Sequence, residues 1–535
     1  MRAQRGGRLM VTSARTWGAP CPNCGAQVDF KSPASASAVC SFCRSTLVRD
    51  GESLRKIGVS AEIFDDFTPL QIGASGRFAG ESFMLVGRLQ FGTEDGPWNE
   101  WHALFDNGRN GWLSEDNGRY VFAFDLPTPP DAPRPETLRV GLPVTVDGRR
   151  WSVGSVVSAK LLAAEGELIA PPPADRAIVV ADLRNTADEV GTLEASDPAA
   201  LHWSIGKSIG LADLKMSGLR EAAEKTLKAQ AAQCPNCGSP LTITLATTQS
   251  VVCGNCKSVV DLSKGIGPDM AHFAQQNPHE PALPIGRTGS LAITSGAAPL
   301  PWQIVGYMER MELMGAGDEA EAWREYLLYN RIEGFAFLVD TNEGWSVVRT
   351  LTGAPQVSGS QAAWYGTTYH QRWNYASVVT YVLGEFYWRV EANQRTEHVD
   401  YEGSASGHRA LLSLERTAHE SVWSAGESVP TQAVAAAFGL PAPQAAQLER
   451  AGPPGMDAIF GGFRPSWIML LVVLIIIVLL LAMCSRDSCS NERKAFGPDS
   501  AEYQQCRARA SAGTATYVGT GGAWGGYSSG GGGHK

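Results

Sequence analysis

Eight of the eleven cysteines fall in two blocks of identical spacing, CPNCGAQVDFKSPASASAVCSFC at residues 21 to 43 and CPNCGSPLTITLATTQSVVCGNC at 234 to 256. Each block is C-x2-C, a fifteen-residue spacer and C-x2-C, and each opens on CPNCG. Four thiolates at this spacing are the ligand set of a closed, tetrahedral Zn(II) site. The glycine after each first pair, Gly25 and Gly238, supplies the left-handed residue that a metal-binding knuckle needs. Cys21, Cys24, Cys40 and Cys43 are therefore predicted to hold one zinc ion, and Cys234, Cys237, Cys253 and Cys256 a second. Both are structural sites, with no open position for water. Such binding contributes ~10–16 kcal/mol of apparent free energy, enough to fold a module too small to fold alone. A pair of redox dithiols would need a βαβ context that neither block has.

The spacers are apolar and hydroxylic and lack the interleaved arginines and aromatics that grip a nucleic-acid strand. With 45 basic against 54 acidic residues and a net charge of -9, nucleic acid is the least favoured partner. A protein partner or a small ligand is preferred. No phosphate-binding glycine loop, zinc-protease helix or nucleophile elbow occurs, and the nine histidines show no diagnostic spacing. Catalysis is accordingly unsupported. The alternative kept open is an enzyme acting on a small, possibly cationic metabolite.

A second group of residues repeats behind the cysteines. Phe83–Gly87 (FMLVG) pairs with Trp302–Gly306 (WQIVG), and Trp98-Asn-Glu-Trp101 pairs with Trp323-Arg-Glu-Tyr326. Trp98, Glu100, Trp101, Trp323, Glu325 and Tyr326 are the candidate binding residues, expected on a sheet surface. Any glutamate there is weighed against an ordinary solvated one. Short strands with alternating aromatics and glycine turns predict a small antiparallel barrel or sandwich in each half. The fold class is mainly β: two zinc ribbons, each followed by a β-rich domain, and one C-terminal transmembrane helix.

The halves resemble the bacterial domain-of-unknown-function family numbered 4178. In the first half the resemblance rests on W-x-E-W, NGWLSEDNGR, VDGRRWSVGSV (146–156), EGEL (165–168) and ADLR (181–184). In the second it rests on WREY, GEFYWRV (384–390), Asp400-Tyr401, Glu420 and VWSAGE. It implies tandem copies of one domain and no particular reaction. The second copy departs from the first by an insertion, MELMGAGDEAE.

The chain then divides into a flexible arm (1–20), ribbon 1 (21–50), β-rich copy 1 (55–190), a connector with a helix (195–233), ribbon 2 (234–265), β-rich copy 2 (280–440) and a linker (442–466). From Trp467 to Cys484 there is no charge, proline or glycine. Eighteen helical residues at ~1.5 Å each span about 27 Å, close to a bilayer core. A Gly-rich disordered tail (485–535) follows. Basic residues barely orient the span, with Arg450 and Arg464 before it and Arg486, Arg493 and Lys494 after it. Zinc thiolates require a reducing space. The expectation is thus a single-pass inner-membrane protein with a cytosolic N-terminal region and an extracytoplasmic tail, in which Cys489 and Cys506 either pair as a disulfide or stay free. The overall expectation is a membrane-anchored binding or scaffold protein.

Overall fold

The computed structural model describes residues 17–448, apart from residues 33, 52, 62–67, 94–96, 117–118, 173–176, 198–199, 221–231, 246–247, 263–269, 276–279, 295, 314–320, 392, 406–407 and 418. The predicted membrane span and tail, with Cys489 and Cys506, lie outside the described residues. Among the described residues no helix is long and apolar enough to cross a membrane.

Each half is a closed eight-stranded antiparallel barrel. In the first, β1 (Glu81–Gly92), β2 (Pro97–Phe105), β3 (Asn110–Asp116) and β4 (Arg119–Leu126) form one meander. A second meander is β5 (Arg149–Leu168), β6 (Ala177–Arg184), β7 (Glu189–Asp197) and β8 (Ala200–Ile209). Pairing of β4 with β8 and of β5 with β1 closes the ring. The second half repeats it with β9 (Leu300–Glu312), β10 (Ala322–Asn330), β11 (Gly334–Thr341), β12 (Gly344–Thr350), β13 (Thr367–Phe386), β14 (Arg395–Ala405), β15 (His408–Arg416) and β16 (Ser421–Val429). Strand n of the first barrel thus matches strand n+8 of the second, and β13 with β9 closes the ring. Closure leaves neither barrel with an open sheet edge.

The two registers coincide residue by residue. Phe91 faces Trp98 as Arg310 faces Trp323, and Leu89 faces Glu100 as Met308 faces Glu325. On the long strands, Val157 opposite Val180 matches Tyr375 opposite His398. Even the bulges recur, between Val153 and Ser155 and between Gln371 and Trp373. Gly166 and Gly384 stand at equivalent places, both at positive φ. A Cβ there would lie 2.3 Å from the Val86 carbonyl oxygen and 2.2 Å from that of Val305. Only glycine allows the long strand to pass so close to its neighbour.

The ribbons extend these barrels. Ser37–Val39 of ribbon 1 pairs with Gly166–Leu168 at the end of β5, and Ser250–Val251 of ribbon 2 pairs with Glu385–Phe386 of β13. Several predicted boundaries move. The arm ends earlier than residue 20, since Trp17–Pro20 pairs with Gln27–Phe30. Copy 1 runs through β8, because Leu201, Trp203 and Ile205 alternate along a barrel strand that the predicted connector absorbed. Residues 210–220 form turns and bends where a helix over 210–233 was expected, residues 221–231 of it lying outside the described residues, and Leu211 and Leu214 pack on the outer wall of the first barrel. The strand expected at 385–392 ends at Phe386, and the linker expected from 442 opens with a helix, Ala442–Leu448.

Candidate ligand cavity and metal centres

In each ribbon the two C-x2-C turns bring four sulfurs together. Sγ–Sγ distances are 3.6 Å for Cys21–Cys43 and 3.7 Å for Cys24–Cys40, then 3.6 Å for Cys234–Cys256 and 3.7 Å for Cys237–Cys253. All four Sγ atoms of each group lie within 4.8 Å of one another. A tetrahedral ion with metal–sulfur bonds of ~2.3 Å requires sulfurs about 3.8 Å apart. Both groups fit a metal ion. Ser45, whose hydroxyl lies 3.2 Å from the Cys43 sulfur, brings that thiol down to about 5 with its side chain and its backbone N–H. At Cys256 burial pushes upward, but hydrogen bonds from Ser258 and Asn236 outweigh it and the thiol also reaches about 5. Thiolate, the metal-binding form, is thus favoured at Cys43 and Cys256, whereas Cys24 and Cys234 in the same groups are pushed up to about 12.

A glutamate anchors each ribbon. Glu167, on β5, accepts the backbone N–H groups of Lys31 at 2.7 Å and Ser32 at 3.0 Å. Its counterpart Glu385 accepts those of Thr244 at 2.8 Å and Leu245 at 2.9 Å, and the hydroxyls of Thr244 and Thr248. Both are buried. Both lie inside motifs that carried the family resemblance, EGEL and GEFYWRV, yet nothing local in those motifs reveals the clamp.

The six candidate binding residues are all buried. They divide by strand parity, because successive side chains point to opposite faces. Trp98 and Glu100 face the first lumen and Trp323 and Glu325 the second, whereas Trp101 and Tyr326 face outward. Trp101 lies under Leu70, Leu211 and Leu214 and donates from Nε1 to Glu115 at 3.0 Å. The exposed aromatic sheet face expected from the sequence is therefore the inside and the covered outside of a barrel wall. Neither glutamate is solvated: Glu100 is 6% exposed and Glu325 is 2% exposed.

The first lumen holds a cavity of about 400 Å³. Phe91, Trp98 and Trp112 form aromatic walls, and Glu100, Asp125 and Glu194 supply carboxylates. His202 and Ser204 line it as well, and Leu168–Pro172 at the end of β5 complete the lining. Phe91 and Trp98 stack with centroids 5.2 Å apart. Glu100 accepts Trp98 Nε1 at 3.1 Å and the Ser114 hydroxyl at 2.6 Å, and Asp125 accepts Trp112 Nε1 at 3.1 Å. No lysine or arginine occurs among the described residues of the lining.

At the equivalent positions the second lumen is packed. Arg310, fully buried, has its Nε 3.3 Å from Glu325 and its Nη2 3.9 Å from Glu415. Its Nη1 lies 3.3 Å from the Ser377 hydroxyl and 3.4 Å from His398 Nε2. Tyr375 donates to Asp400 at 2.8 Å, Ser413 donates to Asp400 at 2.6 Å, and the rings of Tyr375 and His398 stack. Burial, then the Arg310 charge, holds His398 well below the usual imidazole range. Burial likewise pushes the Glu415 carboxyl well up, with Arg310 pulling against it. No single sequence motif marks this network, because barrel closure assembles it from five strands.

The profile of the domain of unknown function DUF4178 matches residues 71–210 and 300–431, about half of the chain. The chain belongs to the DUF4178 family. The two matched segments coincide with the two barrels, so a DUF4178 domain in this chain is one closed ring with its ribbon outside the matched region. No curated protein matches the chain. Among solved structures, a protein of unknown function of the DUF3598 family from Nostoc punctiforme aligns over 68% of this chain and 98% of its own, at 7% identity. The TM-score is 0.10, and at that value the likeness carries no argument about the DUF4178 fold.

Proposed function

We propose that the protein is a membrane-anchored binding protein in which the first barrel takes a small ligand into its lumen and the second is a filled, structural copy. One observation carries this: the cavity of about 400 Å³ in the first ring, set against the buried Arg310 network that fills the equivalent positions of the second. Eight-stranded barrels are wide enough either to be filled by side chains or to hold one small molecule, and a site of this volume with aromatic walls and few polar groups is a normal ligand pocket. Each ribbon holds a structural zinc ion and braces the end of a long barrel strand. The 467–484 segment is the anchor.

The test is a mixed-charge fragment screen by ligand-observed NMR on the detergent-purified full chain, repeated on Val180→Phe, which narrows the first lumen. Fragments that bind the wild type and lose binding in the variant support the reading. Binding unaffected by Val180→Phe, or no binding by any class of fragment, overturns it.

A further inference from the structure

We infer that the ligand of the first lumen is an organic cation, a guanidinium or primary ammonium group on a short apolar chain. This rests on the proposed lumen site and goes beyond it by naming the chemistry. The second barrel supplies the internal comparison. There the guanidinium of Arg310 lies between Glu325 and Glu415. The register makes Glu100 the counterpart of Glu325, since Leu89 faces one and Met308 the other. It also makes Glu194 the counterpart of Glu415: Glu194 stands opposite His202 on β8, and Glu415 opposite Val422 on β16. The hydroxyl two residues earlier in each strand, Thr192 or Ser413, donates to the matching aspartate, Asp182 or Asp400.

Both members of the carboxylate cage are therefore present in the first barrel, and both line its cavity. What differs is the occupant. At the position of Arg310 stands Phe91, whose ring packs on Trp98 and forms part of the cavity wall. The tryptophan contact is retained as well, Trp98 Nε1 to Glu100 at 3.1 Å and Trp323 Nε1 to Glu325 at 2.8 Å. Asp125 adds a third carboxylate, and the faces of Phe91, Trp98 and Trp112 suit a cation electrostatically. An anion would meet three carboxylates there. The second copy carries in its own side chain what the first has room to receive.

Calorimetric titration of the full chain with n-butylguanidinium, n-butylamine and the neutral isostere n-butylurea tests this. Both cations are expected to bind at least tenfold more tightly than the urea. Glu100→Gln combined with Glu194→Gln should weaken them at least tenfold, and Phe91→Arg, which writes the arginine of the second barrel into the first, should abolish binding. Circular dichroism and melting temperature establish that each variant is folded, and Glu100→Gln alone serves if the double variant is not. Urea binding equal to that of the cations, or cation binding unchanged in the glutamine variants, overturns the cation inference while leaving the lumen site standing. Cation binding that persists in Phe91→Arg places the site elsewhere, and no binding by any of the three probes overturns both readings.

Discussion

Phe91 and Arg310 occupy one register position, and that exchange sets the two lumens apart. Arg310 is fully buried among carboxylates, a histidine and a serine, so truncating it leaves Glu325 and Glu415 in a dry interior. Removing one partner of such a buried pair costs about 3–5 kcal/mol. Arg310→Ala is expected to lose stability of that order in urea denaturation, and millimolar ethylguanidinium should restore part of it by binding the folded state alone. No change in midpoint on the substitution would remove the guanidinium from the centre of the network. His398 gives a second measurement. Facing Arg310, Tyr375, Ser377 and Trp323, it is held neutral, with Nε2 accepting hydrogen bonds and the proton on Nδ1. Its folded pKa lies below its unfolded one, so the unfolded chain takes up a proton first as pH falls through about 6.5. Stability is therefore lost below that pH by up to about 1.4 kcal/mol per unit. Glu415, whose folded carboxyl is raised by burial, works in the opposite sense between its folded pKa and the usual carboxylate range. The His398 contribution is isolated by difference: between pH 7.5 and 5.5, His398→Asn should become more stable relative to the wild type, and parallel curves would mean that His398 titrates alike in the folded and unfolded chain. The cysteine ligands were legible because they are local, two turns and a spacer. The lumen network was not, since nothing in a strand's own sequence says which distant strands close the ring with it. Strand parity in W-x-E-W does carry part of it: residues 98 and 100 share a face, and 101 cannot join them.

The duplicated unit is a ribbon continuous with a barrel, and the long strands β5 and β13 perform both jobs. Each runs the length of its barrel and then projects to pair with a ribbon strand, with a buried glutamate at the junction. The carboxylate collects backbone N–H groups from the spacer between the cysteine pairs, so metal-site geometry and barrel closure are mechanically linked. Charge-assisted hydrogen bonds of this kind are worth about 1.5–3 kcal/mol. Glu385→Gln should therefore loosen ribbon 2 by that amount without opening its barrel. The expected readout is faster amide exchange at residues 244 to 252 with exchange in β14 to β16 unchanged; equal acceleration throughout would show one cooperative unit. Existence and repetition of these elements could be read from the chain through the cysteine spacing and the alternation of apolar residues. Their limits could not. The connector swallowed β8 although Leu201, Trp203 and Ile205 keep period two, and a helix was expected where Leu211 and Leu214 instead cover the barrel wall as an irregular segment. Tertiary burial of isolated leucines overrode a local pattern that suited a helix.

Across the whole molecule the two barrels touch through polar edges. Arg184 donates to the Thr352 carbonyl at 3.2 Å, Ala354 N–H donates to the Asn185 carbonyl at 3.0 Å, and Ser208 and Thr352 share a hydroxyl contact at 3.0 Å. A Cβ on Gly353 would come within 3.0 Å of the Asn185 carbonyl oxygen, so this seat requires a residue without a side chain. Neither lumen residue set named above takes part in it. The same chain carries the apolar 467–484 segment. Counting basic residues gives two before the span and three after it, too small a difference to orient a helix. The cysteines weigh more. Two groups of four free cysteines, each within reach of one metal ion, persist in a reducing space and are open to oxidation outside it. The ribbons and barrels are thus expected inside the cell and Cys489 and Cys506 outside. A membrane-impermeant maleimide applied to intact cells should label the tail, directly if the two thiols are free and only after mild reduction if they are paired, and should leave the eight ribbon cysteines untouched until lysis. Tail labelling that appears only after lysis would reverse the topology, and the four-cysteine groups would then no longer argue for which face of the membrane the barrels occupy.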